Sequence, residues 1–261
     1  MQRRSFLTAA AAAAVSTLES TADAAPPAAS KSAWLHFCYY YMRNGSQTER
    51  TNAYLGDVYL PAAGRAGLLP VGFFSALVSP NAPFTLVVTS YPSLAALENL
   101  HDPFPRDAEF AKGWKEYNSA AGYERMESSL LRAFDQFPAI QPGPSDAKRP
   151  ARVFELRTYQ GLTEDGARRK KKMFETGEIA IFQRLNFTPI FFGQSIVGPN
   201  QPNNTYMLAF DDLAARERLW KAFQADPEWQ KMRATPGMDN TELNANTTNT
   251  LLQPLAFSMV R

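Results

Sequence analysis

The two halves of this chain match each other at one constant offset, and that self-similarity restricts the fold more than any other feature of the sequence. Pro80-Asn81-Ala82-Pro83 falls on Pro199-Asn200-Gln201-Pro202, an offset of 119 residues (from 80 to 199). The same offset carries Pro70 onto Pro189, Leu94-Ala95-Ala96 onto Leu213-Ala214-Ala215, and Asp107-Ala108-Glu109-Phe110 onto Asp226-Pro227-Glu228-Trp229. A long unit present only twice indicates duplication of a whole domain, because solenoid repeats run about 20 to 50 residues. Gln141-Pro142-Gly143-Pro144-Ser145, followed by Asp146 to Pro150, has the composition of a linker. The sequence thus divides into a first unit at residues 33–140, a linker at 141–150 and a second unit at 151–261.

In the second unit, Val153 to Tyr159 alternates and is rich in strand formers, while Ala167 to Leu185 places Met173, Phe174, Ile181, Phe182 and Leu185 at helical spacing. Pro189 to Val197 and Thr205 to Phe210 read as two strands of a hairpin around the turn-rich Gly198 to Asn204. Asp212 caps a helix with an apolar stripe of Leu213, Leu219, Trp220 and Phe223, and Asp226-Pro227 supplies a second cap. A final strand lies within Thr247 to Val260. The order βαββαβ is the ferredoxin-like motif of an α+β fold. The first unit repeats it through Trp34 to Tyr41, Gln47 to Ala62, Gly72 to Val78, Phe84 to Ser90, Leu94 to Tyr117 and Ser129 to Phe134.

Composition narrows the function classes. A hydrophobic content of 45% with 20% charged residues describes a globular chain with a sizeable core. The formal net charge of +2 gives nucleic-acid binding no global electrostatic support. The basic run Arg168 to Lys172 reads as a solvated helix face. Residues 1–25 read as a twin-arginine-like signal peptide: Arg3-Arg4, then Phe6-Leu7, an alanine-rich stretch, and Ala22-Asp23-Ala24 as a small-x-small cleavage site. That leader predicts a periplasmic or secreted bacterial protein. No other stretch approaches the roughly 20 apolar residues needed to span a bilayer, so no membrane association is expected after its removal. Cys38 is the single cysteine and excludes an intramolecular disulfide. No phosphate loop, dinucleotide fingerprint, nucleophile elbow or paired-cysteine motif occurs.

Glu155-Leu156-Arg157-Thr158-Tyr159, Asp211-Asp212-Leu213-Ala214-Ala215-Arg216 and Phe223-Gln224-Ala225-Asp226-Pro227-Glu228-Trp229 strongly resemble the NIPSNAP family. The resemblance covers essentially all of residues 151–261. The first unit looks like a degenerate copy, with His36-Phe37-Cys38-Tyr39-Tyr40 where the family's strand motif would be. The resemblance implies a dimeric α+β barrel, which two units of one chain can close internally as a pseudo-dimer or with units of another chain. Relatives in that superfamily include cofactor-free monooxygenases, haem-degrading enzymes and chlorite dismutase-like haem proteins. It implies no particular reaction, since function resides in sites and not in folds.

Residues two apart on a strand share a face. On the expectation that Phe154, Leu156 and Thr158 pack under the helices, Glu155, Arg157 and Tyr159 line the barrel, and the offset adds His36, Cys38 and Tyr40. These six are the ligand-binding candidates. Arg157 offers a fork of donors, the tyrosines offer hydroxyls and ring faces, and His36 exchanges protons near neutral pH. The alternative reading makes Glu155 and Arg157 part of an ion-pair network. The leading functional expectation is binding or transformation of a small aromatic or carbonyl-bearing molecule in the barrel, as in a cofactor-independent monooxygenase, with no cofactor or metal expected. A scaffold that buries a partner or forms a homo-oligomer through Phe73-Phe74 or Phe191-Phe192 is one alternative. Haem binding is another, with His36 and His101 the only histidines.

Overall fold

Strand β1 (Trp34–Tyr41) buries side chains on both of its faces, with Leu35 and Phe37 turned one way and Cys38 the other. A strand of that kind needs a partner layer on each side. The computed structural model describes residues 32–98, 106–143 and 150–261 and supplies both layers. Eight strands close into one barrel in the order β1-β3-β2-β8-β5-β7-β6-β4, with every pairing antiparallel. The other strands are β2 (Val71–Ala76), β3 (Phe84–Tyr91), β4 (Arg125–Ala133), β5 (Val153–Gly161), β6 (Thr188–Val197), β7 (Asn203–Phe210) and β8 (Asn244–Pro254). Helices cover the outer face. Those of the first half are α1 (Ser46–Ala53), α2 (Leu60–Arg65), α3 (Leu94–Glu98) and α4 (Ala108–Tyr117). Those of the second are α5 (Glu164–Met173), α6 (Ile179–Arg184), α7 (Leu213–Ala225), α8 (Pro227–Arg233) and α9 (Asn240–Leu243).

Local chemistry sets several helix boundaries. Asp212 accepts a bond from the Ala215 N–H at 2.6 Å, and Asp226 accepts from the Glu228 and Trp229 N–H groups at 3.0 and 3.1 Å, with Pro227 at the first helical position. Asp107 caps α4 in the same way. A π-helical turn joins α1 to α2 at Tyr54–Tyr59, and another joins α5 to α6 at Phe174–Glu178.

The barrel lumen is filled over part of its length. Phe37 meets Phe191 edge-on at 5.2 Å and Phe74 meets Phe154 at 4.9 Å, so the aromatic contacts cross from strands of one half to strands of the other. At that end Ile140 and Val260 join the lumen core. Ser258 fixes the segment carrying Val260: its hydroxyl accepts from the Phe73 N–H at 2.9 Å and donates to the Val260 carbonyl at 2.8 Å. Buried Arg152 donates to the carbonyl oxygens of Arg261 and Pro142. The two β-hairpin loops, at residues 77–83 and 198–202, lie at the opposite end, because β1 and β5 run parallel across four antiparallel pairings. In the strand order they stand on opposite sides of the mouth.

Two expectations are corrected here. Phe73, Phe74, Phe191 and Phe192 are fully buried, two on each side of their strands, and present no edge to a partner. Lys170, in the middle of the basic run, is also fully buried, where its ammonium bonds to Glu178. The run supplies a solvated face only in part. The leader at 1–25, His101 and linker residues 144–149 lie outside the described residues.

Because Phe74 and Phe154 touch across the closed lumen, Phe74→Ala should cost about 3–5 kcal/mol. Val78→Ser, on the exposed loop between β2 and β3, should stay within about 0.5 kcal/mol. Urea unfolding of both variants checks this, and equal costs would mean that the lumen is not packed at Phe74.

Candidate functional site

Above the Phe37 and Leu156 layer the lumen side chains shorten and become polar, and the barrel opens as a well of about 280 Å³. Strand β1 gives it an aromatic wall. Tyr39 stacks on Tyr41 at 5.9 Å, and Phe84 of β3 meets both rings edge-on at 5.3 and 5.8 Å. Strands β5, β7 and β8 give it a hydroxyl wall of Thr158, Thr205, Thr248 and Thr250. Asn200 and Asn203, at the β6–β7 turn, and Ser129 and Ser195 complete the rim. Asn200 adopts φ +57°, a left-handed conformation that asparagine tolerates.

Part of this lining is tied internally. The Thr158 and Thr205 hydroxyls share a bond at 2.9 Å, and Thr205 donates to the Asn203 side-chain oxygen at 3.1 Å. Tyr41 donates to Glu127 at 3.1 Å, Arg125 donates to the same carboxylate at 2.9 Å, and the Arg125 guanidinium lies 3.7 Å over the Tyr41 ring. The bond from Arg125, helped by that from Tyr41, holds Glu127 below the usual carboxylate value, so it is ionised at neutral pH. Burial, with Tyr41 and Glu127 close by, raises Tyr39 above the ordinary phenol value, so its hydroxyl keeps its proton.

The six candidates from the sequence lie elsewhere, and the face assignment is reversed. Leu156 and Thr158 face the well and Phe154 faces the lumen core, whereas Glu155, Arg157 and Tyr159 point outward under the helices of the second half. His36, Cys38 and Tyr40 likewise face the helices of the first half. A closed barrel with helices outside buries both faces of each strand, so hydrophobicity alone does not say which face is the lumen.

The structure brings Glu155, Arg157 and Tyr159 together. Fully buried Glu155 accepts from Arg157 at 2.9 Å, from Nε and Nη2 of Arg216 at 2.9 and 2.6 Å, and from the Trp220 indole at 2.7 Å. Arg157 reaches the Tyr159 hydroxyl at 3.3 Å and lies 4.4 Å over the Trp220 ring. Tyr159 and Tyr206 share a bond at 3.0 Å. The network thus pins α7, which carries Arg216 and Trp220, to β5. Burial alone would raise the Glu155 pKa, but the Arg216 bonds, the Arg157 charge and the Trp220 bond outweigh it and hold the carboxyl below its ordinary value. Nearby Glu178 goes the other way, because burial outweighs its Lys170 partner.

His36, Cys38 and Tyr40 form no comparable bonded set. Burial lowers the His36 pKa and pushes the Cys38 thiol up to about 11, which marks an inert thiol. Among the described residues no three of His, Cys, Asp and Glu gather as a metal site. The well residues missed from the sequence are Tyr39, Tyr41 and Glu127 with the threonines. The available signal was the Tyr39/Tyr41 pair two apart on one strand, together with the polar run Asn244 to Thr250 in a segment that must form a barrel strand.

Residues 154–259 match the NIPSNAP family model. The NIPSNAP match thus begins at the strand that carries Glu155 and Arg157 and runs through β8. No curated protein matches the chain. Two solved structures of candidate monooxygenases are similar over nearly the whole chain. One, from Fusobacterium nucleatum subsp. nucleatum, has 10% identity and a TM-score of 0.58, covering 86% of this chain and 93% of that one. The other, from Lactobacillus acidophilus, has 10% identity and a TM-score of 0.59, covering 85% and 94%. An uncharacterised NIPSNAP-like domain protein from Burkholderia xenovorans has 28% identity and a TM-score of 0.36, covering 41% of this chain and 88% of that one. The chain has an α+β fold with a closed β-barrel, and the two nearly full-length neighbours share that fold.

Removing the central carboxylate tests the network. Glu155→Gln should destabilise the protein by about 3 kcal/mol at neutral pH, as expected when one partner of a buried ion pair is lost. Because the folded value lies below the ordinary 4.5, the contribution is complete above pH 4.5 and disappears as pH falls through the folded value. Urea midpoints of wild type and variant should therefore converge on acidification; a pH-independent gap would contradict the assignment.

Proposed function

We propose that this chain binds a small aromatic or carbonyl-bearing molecule in the polar well at the open end of its barrel. The observation that carries the reading is the division of the lumen. One end is packed with aromatic and aliphatic side chains, while the other is a walled space with a tyrosine face and a hydroxyl face. An eight-stranded barrel is just wide enough either to fill itself or to hold one small ligand. At roughly 30 Å³ for each water-sized group, 280 Å³ holds about nine such groups. A cofactor-independent oxygenase is the enzymatic form of the reading, favoured by the names of the two fold neighbours. We assign no reaction step to any residue.

For the haem alternative, His36 points away from the well towards the helices and lends it no support, and His101 lies outside the described residues. The scaffold alternative loses the phenylalanine surfaces that motivated it.

We also propose that the chain arose by duplication of one ferredoxin-like unit, so that the barrel is an internal pseudo-dimer. In support, β5, β7 and β8 begin 119 residues after β1, β3 and β4 (153 against 34, 203 against 84, 244 against 125), and the two π-helical turns fall in the same register. Export of the chain through a twin-arginine route to the periplasm is a further proposal, resting on Arg3-Arg4 and Ala22-Asp23-Ala24. Among the described residues no helix is long and apolar enough to cross a membrane. Replacing both arginines by lysine in a reporter fusion should abolish export; unchanged export would exclude that route.

For ligand binding, thermal unfolding of the protein lacking residues 1–25 should be followed with a panel of uncharged aromatic and quinone-like compounds. At least one should raise the midpoint of the wild type and not of Thr248→Trp, which fills the mouth. Equal shifts in both proteins would place binding outside the well.

A further inference from the structure

We infer, building on the binding reading above, that the well selects uncharged ligands: Tyr39 donates the hydrogen bond that holds the ligand's carbonyl oxygen, and the Arg125–Glu127–Tyr41 cluster at the rim turns away both the anionic and the cationic analogues.

Among the described residues no lysine, arginine or histidine lines the well, and the one ionised group there is the Glu127 carboxylate. An organic anion entering there exchanges water for hydroxyl groups without gaining a counter-charge, and burying an unpaired charge is costly. The nearest cation named in the cluster, Arg125, is engaged twice, through its bond to Glu127 and through its stacking on Tyr41. That same engagement occupies the place a cationic ligand would seek. The carboxylate and the tyrosine ring face that would attract an ammonium or amidinium already hold the guanidinium. Glu127 and Arg125 are half exposed, so their field is screened and their effect is selectivity at the mouth, not tight binding.

The hydrogen-bonding groups point the same way. Thr158, Thr205 and Asn203 bond to one another or to nearby carbonyls, and Tyr41 is committed to Glu127. The side chains of Tyr39, Ser129, Thr248 and Thr250 are left with no hydrogen-bond partner among the described residues, and of these four Tyr39 is the donor whose ring is fixed, by Tyr41 and Phe84, and whose hydroxyl stays protonated beside the aromatic wall. A donor held in place beside an aromatic wall, with nothing to donate to, matches the carbonyl of a planar ring.

Benzamide, benzoate and benzamidinium have nearly the same shape and differ in charge, so they isolate the claim. Dissociation constants for the three should be measured by ligand-observed NMR titration at pH 7 on wild type, Tyr39→Phe and Glu127→Gln. Benzamide should bind the wild type at least tenfold more tightly than either ion. Tyr39→Phe, which keeps the ring packing, should weaken benzamide about tenfold, the size of one hydrogen bond, and leave the thermal midpoint of the free protein unchanged. Glu127→Gln should narrow the gap between benzamide and benzoate. Equal affinity for all three, or a Tyr39→Phe variant that binds benzamide like wild type, would overturn the selectivity while leaving the binding reading intact. Failure of all three and of every compound in the wider uncharged panel would instead remove the binding reading itself.

Discussion

Closure of the barrel is the constraint on which the rest of this structure depends. Each half of the chain contributes four strands, and neither set alone covers its lumen face. The halves meet at two seams, β2 with β8 and β4 with β6. The first is short, pairing Phe74 to Ala76 with Leu252 to Pro254, so backbone bonds alone do little there. What holds it is burial: Phe74 against Phe154, and Phe37 against Phe191, put a large ring from each half into the space of the other. Closure also leaves no open sheet edge in the barrel.

A closed barrel wrapped in helices has two interiors, and this chain uses them differently. The outer one, between sheet and helices, carries strong electrostatics in the second half, with one carboxylate, Glu155, collecting bonds from Arg157, Arg216 and Trp220. Such a set is costly to bury unless each member is satisfied, and the carboxylate end of this network is. Three atoms on the same side, Arg157 Nε, Asn204 Oδ1 and Trp229 Nε1, have no hydrogen-bond partner among the described residues. The inner interior carries little charge. Its packed end sets the floor of the well, and its open end retains hydroxyl groups from strands of both halves. The most charged residues of the chain's best-matched motif thus serve to fix a helix, while the open space is lined by residues of modest chemistry.

The order of elements and the α+β barrel were legible because the helix and hairpin signals agree with the 119-residue offset, which three of the four strand pairs keep. The position of the well was not. Assigning faces on β5 from hydrophobicity put Leu156 under the helices, where in fact Glu155 lies, because the rule that apolar residues face the helices presumes water on the other side. Here the other side is the lumen, filled by Phe154 and Leu156. Lys170 misled for a related reason: one charged side chain in a basic run turns inward because Glu178, eight residues on at the end of the π-helical turn, meets it. Tyr39, Tyr41 and Glu127 belong to the half with the weaker motif and were passed over in favour of the more reactive side chains His36 and Cys38 on the same strand.

The central claim is that the ligand space lies inside the barrel and not between sheet and helices. Amide chemical-shift mapping of the protein titrated with benzamide tests it most directly. The account predicts that the perturbed amides cluster at Tyr39, Tyr41, Thr158, Thr205 and Thr248 to Thr250 around the mouth. A perturbed set centred on Arg216, Trp220 and the helices over Glu155, with the mouth unmoved, would contradict it.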